Sequence, residues 1–457
     1  MSLRRILTVC AAVVAALVVV AGPASAHAEL VAATPSQDAV VGGEPTVVTL
    51  RYSEEIVLRL SAVKVIGPDG RRLDSGTPHT GPSGADSLAA DLAPDTKHGT
   101  FVVVWQVTAA DDGHASSGTV MFAVGAASTP ASVAGLGHNR LTSAVYDAGQ
   151  WLGFAGLAMI GGVAGLYTYR RRGQGEGLGL AGGGEGAAEG AAPEDQLVLA
   201  PAANRPVLEA ATPTWPAAFG WSLLLIGTLI EVTGYAPAAR GLPLTRLLDR
   251  SLWSVTLATR EGHAFMARLI LLAVAAVVGD AVLRRAAGPG VPLAFIVVVA
   301  ATWGATGHAA TGGGAPVAMV ALTLHVAAMA VWVGGLFVVA VLVAGRGAAV
   351  ASVVRRFSRL ALAAVGVLVA TGLYQAWREV GSVSGLTDTT YGRLLLAKVA
   401  ILLCVLGVAR GSRGIVATWR EAGGSEGALR RNVMVELAGA SVLLLLAVLL
   451  AGNAPAR

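Results

Sequence analysis

The chain has 457 residues, of which 54% are hydrophobic and 13% charged, with a formal net charge of +5. So apolar a composition at this length excludes a single soluble globular unit and predicts a membrane protein that also carries a polar part. The positive balance does not point to nucleic acid, because the arginines fall in short clusters between apolar runs and not along one basic stripe.

Residues 1–26 read as a secretory signal peptide: Arg4 and Arg5, an apolar run from Ile6 to Val20, then the small-residue cleavage sequence Pro23-Ala24-Ser25-Ala26. Cleavage there makes His27 the first residue of the mature chain. Its α-amino nitrogen and its own ring nitrogen then form a chelate for one metal ion that no internal histidine can form. Of the two cysteines, Cys10 leaves with the leader and Cys404 lies in an apolar helix. Neither an intramolecular disulfide nor a thiolate metal site is therefore expected.

Residues 27–126 alternate in short stretches broken by turns, with Val47 to Tyr52, Ala62 to Ile66 and Phe101 to Thr108 as the clearest strands. Gly67-Pro68-Asp69-Gly70 and Gly81-Pro82-Ser83-Gly84 mark turns. About seven strands in roughly a hundred residues predict an all-β, Ig-like sandwich with Trp105 and Phe122 in its core. A connector at 127–143 leads to an all-α polytopic membrane domain over 144–457.

Eight apolar stretches in that domain approach the roughly twenty residues a bilayer crossing needs. They lie near 144–169, 215–235, 262–284, 291–310, 316–345, 357–378, 392–412 and 433–451. Between the first two, 173–213 is rich in Gly, Ala and Glu and reads as a cytoplasmic disordered linker. Arginines gather in alternate loops: Arg170 to Arg172; Arg284 and Arg285; Arg346, Arg355, Arg356 and Arg359; Arg410, Arg413, Arg420, Arg430 and Arg431. With that side cytoplasmic, the sandwich lies outside the plasma membrane, as its leader also requires.

Asp112 and His114 are two apart in a segment between predicted strands, so a carboxylate and an imidazole converge from extended backbone. With the two nitrogens of His27 they make a nitrogen and oxygen set suited to tetragonal Cu(II), and Glu54 is a further oxygen donor nearby. His79 and His98 read as surface loop histidines.

His27-Ala28-Glu29-Leu30 with Thr34-Pro35, Tyr52-Ser53-Glu54, and Asp112-Gly113-His114 followed by Ser117-Gly118 resemble the periplasmic copper-binding protein family CopC. The resemblance covers the whole sandwich and implies that His27, His114, Asp112 and, in some members, Glu54 bind Cu(II). Some members add a methionine-rich Cu(I) site. Here Met121 is the sole methionine between His27 and Gly125, so a Cu(II)-only outer domain is expected.

The helical part resembles CopD, the inner-membrane partner of CopC, and the order of the modules is similar to the CopC–CopD fusions. The residues that carry this are Gly262-His263 with Arg268, Gly307-His308, Leu324-His325 with Trp332-Val333-Gly334-Gly335, Thr371-Gly372-Leu373-Tyr374, and Tyr391-Gly392-Arg393 with Lys398. The resemblance implies passage of copper across the membrane.

His263 and His308 are expected near outer helix ends. His325, nine residues in from Pro316, lies about 13 Å deep at 1.5 Å per residue. Ionisable groups at such depth are expensive and mark pathways or paired sites. Met266 follows His263 by three and Met329 follows His325 by four, spacings that share a helix face, and imidazole with thioether suits Cu(I). Glu231, Lys398 and Glu436 read either as a relay or as structural pairs. Asp280 with Arg284 reads as a local pair, and Trp151, Trp215, Trp253, Trp303 and Trp377 as interfacial anchors.

No phosphate-binding loop, phosphorylation motif or intramembrane Cys-Pro-Cys occurs, so neither ATP nor an enzymatic reaction is implied. The expected partners are copper, the lipid bilayer and an unidentified copper acceptor. Two other readings stand beside inward copper passage: a membrane redox protein with histidine-ligated haem on two of His263, His308 and His325, and a copper buffer or sensor without transport.

Overall fold

The computed structural model describes residues 28–43, 45–93, 98–111, 113, 115–132, 139–178, 215–285, 290–311, 314–344, 350–422 and 426–452. The first unit is a sandwich of two four-stranded sheets. One is ordered β1 (Leu30–Thr34), β3 (Val47–Tyr52), β6 (Gly84–Asp91), β5 (His79–Gly81). The other is ordered β2 (Ala39–Val41), β8 (Ala115–Val124), β7 (Gly99–Thr108), β4 (Ala62–Ile66). All pairings are antiparallel except β2 with β8.

The period-2 alternation of β3 decides which way it faces. Val48, Leu50 and Tyr52 are buried while Val47, Thr49 and Arg51 are only partly covered. Leu50 sits opposite Leu88, and Phe101 opposite Phe122 with rings stacked 5.2 Å apart. Trp105 and Phe122 are in the core as expected. The turn at residues 81–84 joins β5 to β6 directly, with Gly84 at φ +96°, a conformation that costs glycine little. β7 is buried along its whole length. Its inward face fills the sandwich, and its other face carries Gln106 towards the helical domain.

That domain contains α1 (Arg140–Leu178), α2 (Trp215–Ala239), α3 (Arg250–Leu257), α4 (Arg260–Arg285), α5 (Val291–Gly304), α6 (Ala315–Ala344), α7 (Val350–Val380), α8 (Val383–Asp388), α9 (Thr390–Ala422) and α10 (Glu426–Ala451). Among the described residues six helical segments are long and apolar enough to cross a membrane: Arg140–Leu166, Trp215–Ala239, Ala315–Ala344, Phe357–Val380, Thr390–Ser412 and Gly427–Ala451. The chain is a multi-pass membrane protein. The expected stretch 262–284 lies on α4. The expected stretch 291–310 divides: α5 stops at Gly304, and Gly307, at φ +63°, opens a short 3-10 turn over Gly307–Ala310. α1 runs as far as Leu178, into the stretch expected as linker, and residues 179–214 lie outside the described residues.

Small residues set the helix packing. The backbones of Gly149 and Gly156 on α1 meet those of Gly227 and Gly220 on α2, with no room for a side chain between them. Gly334 on α6 is pressed in the same way against Ala158 and Gly162 of α1, which gives the Trp-Val-Gly-Gly motif a packing role. α6 consequently runs through the core, with Ala330 and Val338 fully buried.

Candidate functional site

Of the four residues expected to hold copper outside, His27, Asp112 and His114 lie outside the described residues, and Glu54 is half-buried two residues beyond the end of β3. The described neighbours of the first three form a compact frame. Ala28 is fully buried in the sandwich core. The Glu29 amide donates to Ser53 Oγ at 3.0 Å, and the Ser53 amide returns a bond to Glu29 O at 2.9 Å. On the other side of the same segment, the Ala110 amide donates to Glu55 O at 2.9 Å and the Val57 amide to Thr108 O at 2.8 Å. Residues 53–57 therefore lie between the chain at Ala28 and the loop that joins β7 to β8. Tyr52 packs edge-on to Trp105, 5.4 Å between ring centres, and burial pushes its phenol above the usual range. Among the described residues no three of His, Cys, Asp and Glu form a metal-holding group.

The frame rests on the helices. Leu60, fully buried, packs with Tyr235, Ala236 and Ala239 of α2, Leu252 of α3 and Phe265 of α4. Gln106 Nε2 donates to Ala238 O at 3.2 Å. The Tyr235 hydroxyl lies 3.0 Å from Gly113 O and 3.2 Å from Glu261 Oε2, and donates between them. Gly113 has φ +73°, and a Cβ there would run into the buried Glu261 carboxylate. Arg260 Nη1 donates to Ala310 O at 3.1 Å and lies 3.5 Å from Asp111 O. The residue between Asp112 and His114 thus touches the helical domain directly. Sequence reasoning missed Tyr235, Arg260 and Glu261. An acid at the second position of a helix reads as a simple complement to the helix dipole, and nothing local reveals what faces it.

Deeper in, His325 Nδ1 is 2.9 Å from Thr371 Oγ1, whose own proton goes to Val367 O at 2.7 Å. With its own proton so placed, the Thr371 oxygen can accept from Nδ1. His308 sits in the 3-10 turn and not on a helix end; its carbonyl accepts from Arg378 Nη1 at 2.7 Å, and Arg378 also donates to Thr311 O. His263 and Met266 are both exposed on α4, and Met329 packs against the core of the bundle.

Glu231 forms a structural pair: Arg268 Nη1 donates to its Oε2 at 2.5 Å, with both side chains 1% exposed. Arg268 Nε donates to Thr302 Oγ1 at 3.0 Å, and its guanidinium lies 3.5 Å from the ring centre of Trp303. Trp303, expected as an interfacial anchor, is instead the aromatic plate under a buried cation. Glu436 accepts from Ser412 Oγ at 2.5 Å. Among the described residues Glu231 is bonded to Arg268, and no bond links it to Lys398 or Glu436. The expected pair of Asp280 with Arg284 lies outside the described side chains.

Residues 30–125 match the model of the CopC domain, and residues 351–450 match that of copper resistance protein D, CopD. The chain belongs to the CopC–CopD family. It is similar to copper transport protein CutJ of Bacillus subtilis (strain 168), 24% identical over 397 residues, which cover 83% of this chain and 66% of CutJ. Protein YobA of Escherichia coli (strain K12) is 31% identical over 99 residues, 22% of this chain and 79% of YobA. The crystal structure of CopC from Methylosinus trichosporium OB3b matches at 26% identity and a TM-score of 0.20, covering 23% of this chain and 97% of that one. The CopC match coincides with the sandwich, and the CopD match runs from α7 to α10.

Proposed function

We propose that this CopC–CopD chain captures Cu(II) outside the membrane through His27, Asp112 and His114, with Glu54 beside them, and passes copper inward through its helices. The observation that carries this reading is the single contact region. The residues flanking all three ligands meet at one end of the sandwich, and the loop between Asp112 and His114 rests on α2 and α4 through Gly113. A capture site built there opens onto the membrane domain.

The domain plan that accompanies this reading is a signal peptide at 1–26, the outer domain at 27–126 and the membrane domain at 144–457. In favour of eight crossings, seven of the eight apolar stretches lie along single described helices, and the eighth, 291–310, is covered by α5 and the 3-10 turn after it. α4, at 26 residues, is about 39 Å long, and α5, at 14 residues, is about 21 Å before its 3-10 extension. The arginine clusters put the outer domain outside the plasma membrane. Within the membrane, His325 offers Nε2 to Cu(I), its other nitrogen being held by Thr371 as metal-binding imidazoles commonly are. His263 and His308 are further candidate contacts. Copper is the cargo; its eventual acceptor is another protein.

The test is a Cu(II) competition titration of the mature protein and of a form with one extra residue ahead of His27, whose backbone can no longer supply the chelating amine. Affinity is expected to fall by about 100-fold or more, since loss of the His27 amine opens the chelate and leaves the ring nitrogen as a single donor. Equal affinity in the two forms would reject the site.

A further inference from the structure

We propose that the C-terminal end of α7 binds a small inorganic monoanion of the halide class through Arg378, Tyr374 and Gln375. Arg378 is buried, and a guanidinium keeps its charge at any ordinary pH. Its bonds go to two backbone carbonyls: Nη1 donates to His308 O and Nη2 to Thr311 O. Its Nε is shut off from solvent without an acceptor, and among the described residues no carboxylate pairs with it. Glu379, next in the chain, accepts from Tyr391 on α9. Arg268 provides the contrast, since that equally buried cation is neutralised by Glu231 at 2.5 Å. Carbonyl dipoles satisfy two N–H groups of Arg378 but leave its charge without a counter-ion, a costly state away from water.

Two further donors stand on the same helix face. Tyr374 precedes Arg378 by four residues and Gln375 precedes it by three, spacings that make side chains neighbours. The Tyr374 hydroxyl, fully buried, has no hydrogen-bond partner among the described residues, and neither has the buried amide nitrogen of Gln375. Around Tyr374 lie Ala309, Ala318 and Ala321, none of which offers a side-chain acceptor. The unmatched atoms are thus an N–H of a cation, a hydroxyl and an amide nitrogen, all able to donate. Donors gathered beside an unneutralised cation specify an anion, because water would match the donors and leave the charge. A single positive charge suits a monovalent ion. The site lies at the end of α7 nearer the outer domain: the turn that Arg378 holds is also held by Arg260, which reaches Asp111 O. Two helical turns back along α7, Thr371 bonds His325, so an anion here offsets the repulsion of the guanidinium on any cation moving towards that ring.

The experiment measures binding of radiolabelled chloride to the purified full chain in gluconate buffer, with thermal unfolding by circular dichroism in chloride and in gluconate at equal ionic strength. Saturable binding of about one ion per chain is expected, displaced by bromide, with a higher unfolding temperature in chloride, because a ligand that binds only the folded state stabilises it. Tyr374→Phe removes one donor to the ion and is expected to weaken chloride binding by about 10-fold. In gluconate it should unfold no lower than wild type, since a buried hydroxyl without a partner adds nothing to stability. A hydroxyl that only packs, or that meets only water, gives equal chloride affinity in the two proteins, and that result would overturn the proposal. Arg378→Gln is expected to abolish binding; if loss of its two carbonyl bonds unfolds the protein, Tyr374→Phe decides alone. Absence of saturable binding to wild type, with equal unfolding temperatures in the two salts, would also overturn the site. Stronger displacement by phosphate than by bromide would overturn the assignment to a halide.

Discussion

At the scale of single residues, the helical domain holds a cation that is buried away from solvent. Arg268 is held by Glu231, by Thr302 and by the face of Trp303. Desolvating two charges is expensive, so removing one partner leaves an uncompensated charge and costs about 3–5 kcal/mol. Glu231→Gln should therefore lower the thermal unfolding temperature of the purified protein in detergent, measured by circular dichroism. The double replacement with Arg268→Met should regain most of the loss, and a single variant that melts like wild type would contradict this account. The sequence marks Glu231 as an ionisable residue inside a span, because that is a property of one helix. It does not identify the partner, because Arg268 meets Glu231 only through the rotation of α4 against α2. Trp303 was misread for the same reason: a tryptophan near a helix end looks the same whether it faces headgroups or a guanidinium.

At the scale of elements, seven of the eight apolar stretches predicted from composition lie along single helices, six helical segments among the described residues are long and apolar enough to cross a membrane, and the three clearest strands appear within a residue or two of where alternation puts them. Periodicity and apolar length are local signals, so they survive without tertiary information. The division of the stretch at 291–310 was not legible, because it depends on one glycine adopting positive φ within an otherwise apolar run. The pairing of α6 with α7 through His325 and Thr371 was only half legible: both residues stand out in the sequence, but their bond does not. Thr371→Val removes the oxygen that accepts from Nδ1 while keeping the side chain's shape, and frees the ring to turn or change tautomer. Copper uptake into vesicles should fall by about 10- to 100-fold if Nε2 is a station on the path. Uptake equal to wild type would show that the ring orientation does not matter to passage.

At the scale of the whole molecule, the decisive feature is the cluster around Leu60, which joins the sandwich to α2, α3 and α4. Leu60 and Tyr235 are far apart in the chain, and Leu60 looks like any other apolar residue of a β-domain, so the contact left no trace in the sequence. Leu60→Asp places a charge with no built partner in that cluster, a burial that costs several kcal/mol unless the surfaces part. The outer domain should still bind Cu(II) with wild-type affinity in a competition titration, while uptake into vesicles drops; undiminished uptake would mean that docking is dispensable. The Gly113 contact carries a kinetic consequence as well. A carrier tethered against its receiver works at an effective concentration in the millimolar range or above, far beyond what a freely diffusing carrier reaches at ordinary abundance. On the proposed route, delivery is a first-order event inside each molecule, and diluting the membranes that contain it is expected to leave the rate per molecule unchanged.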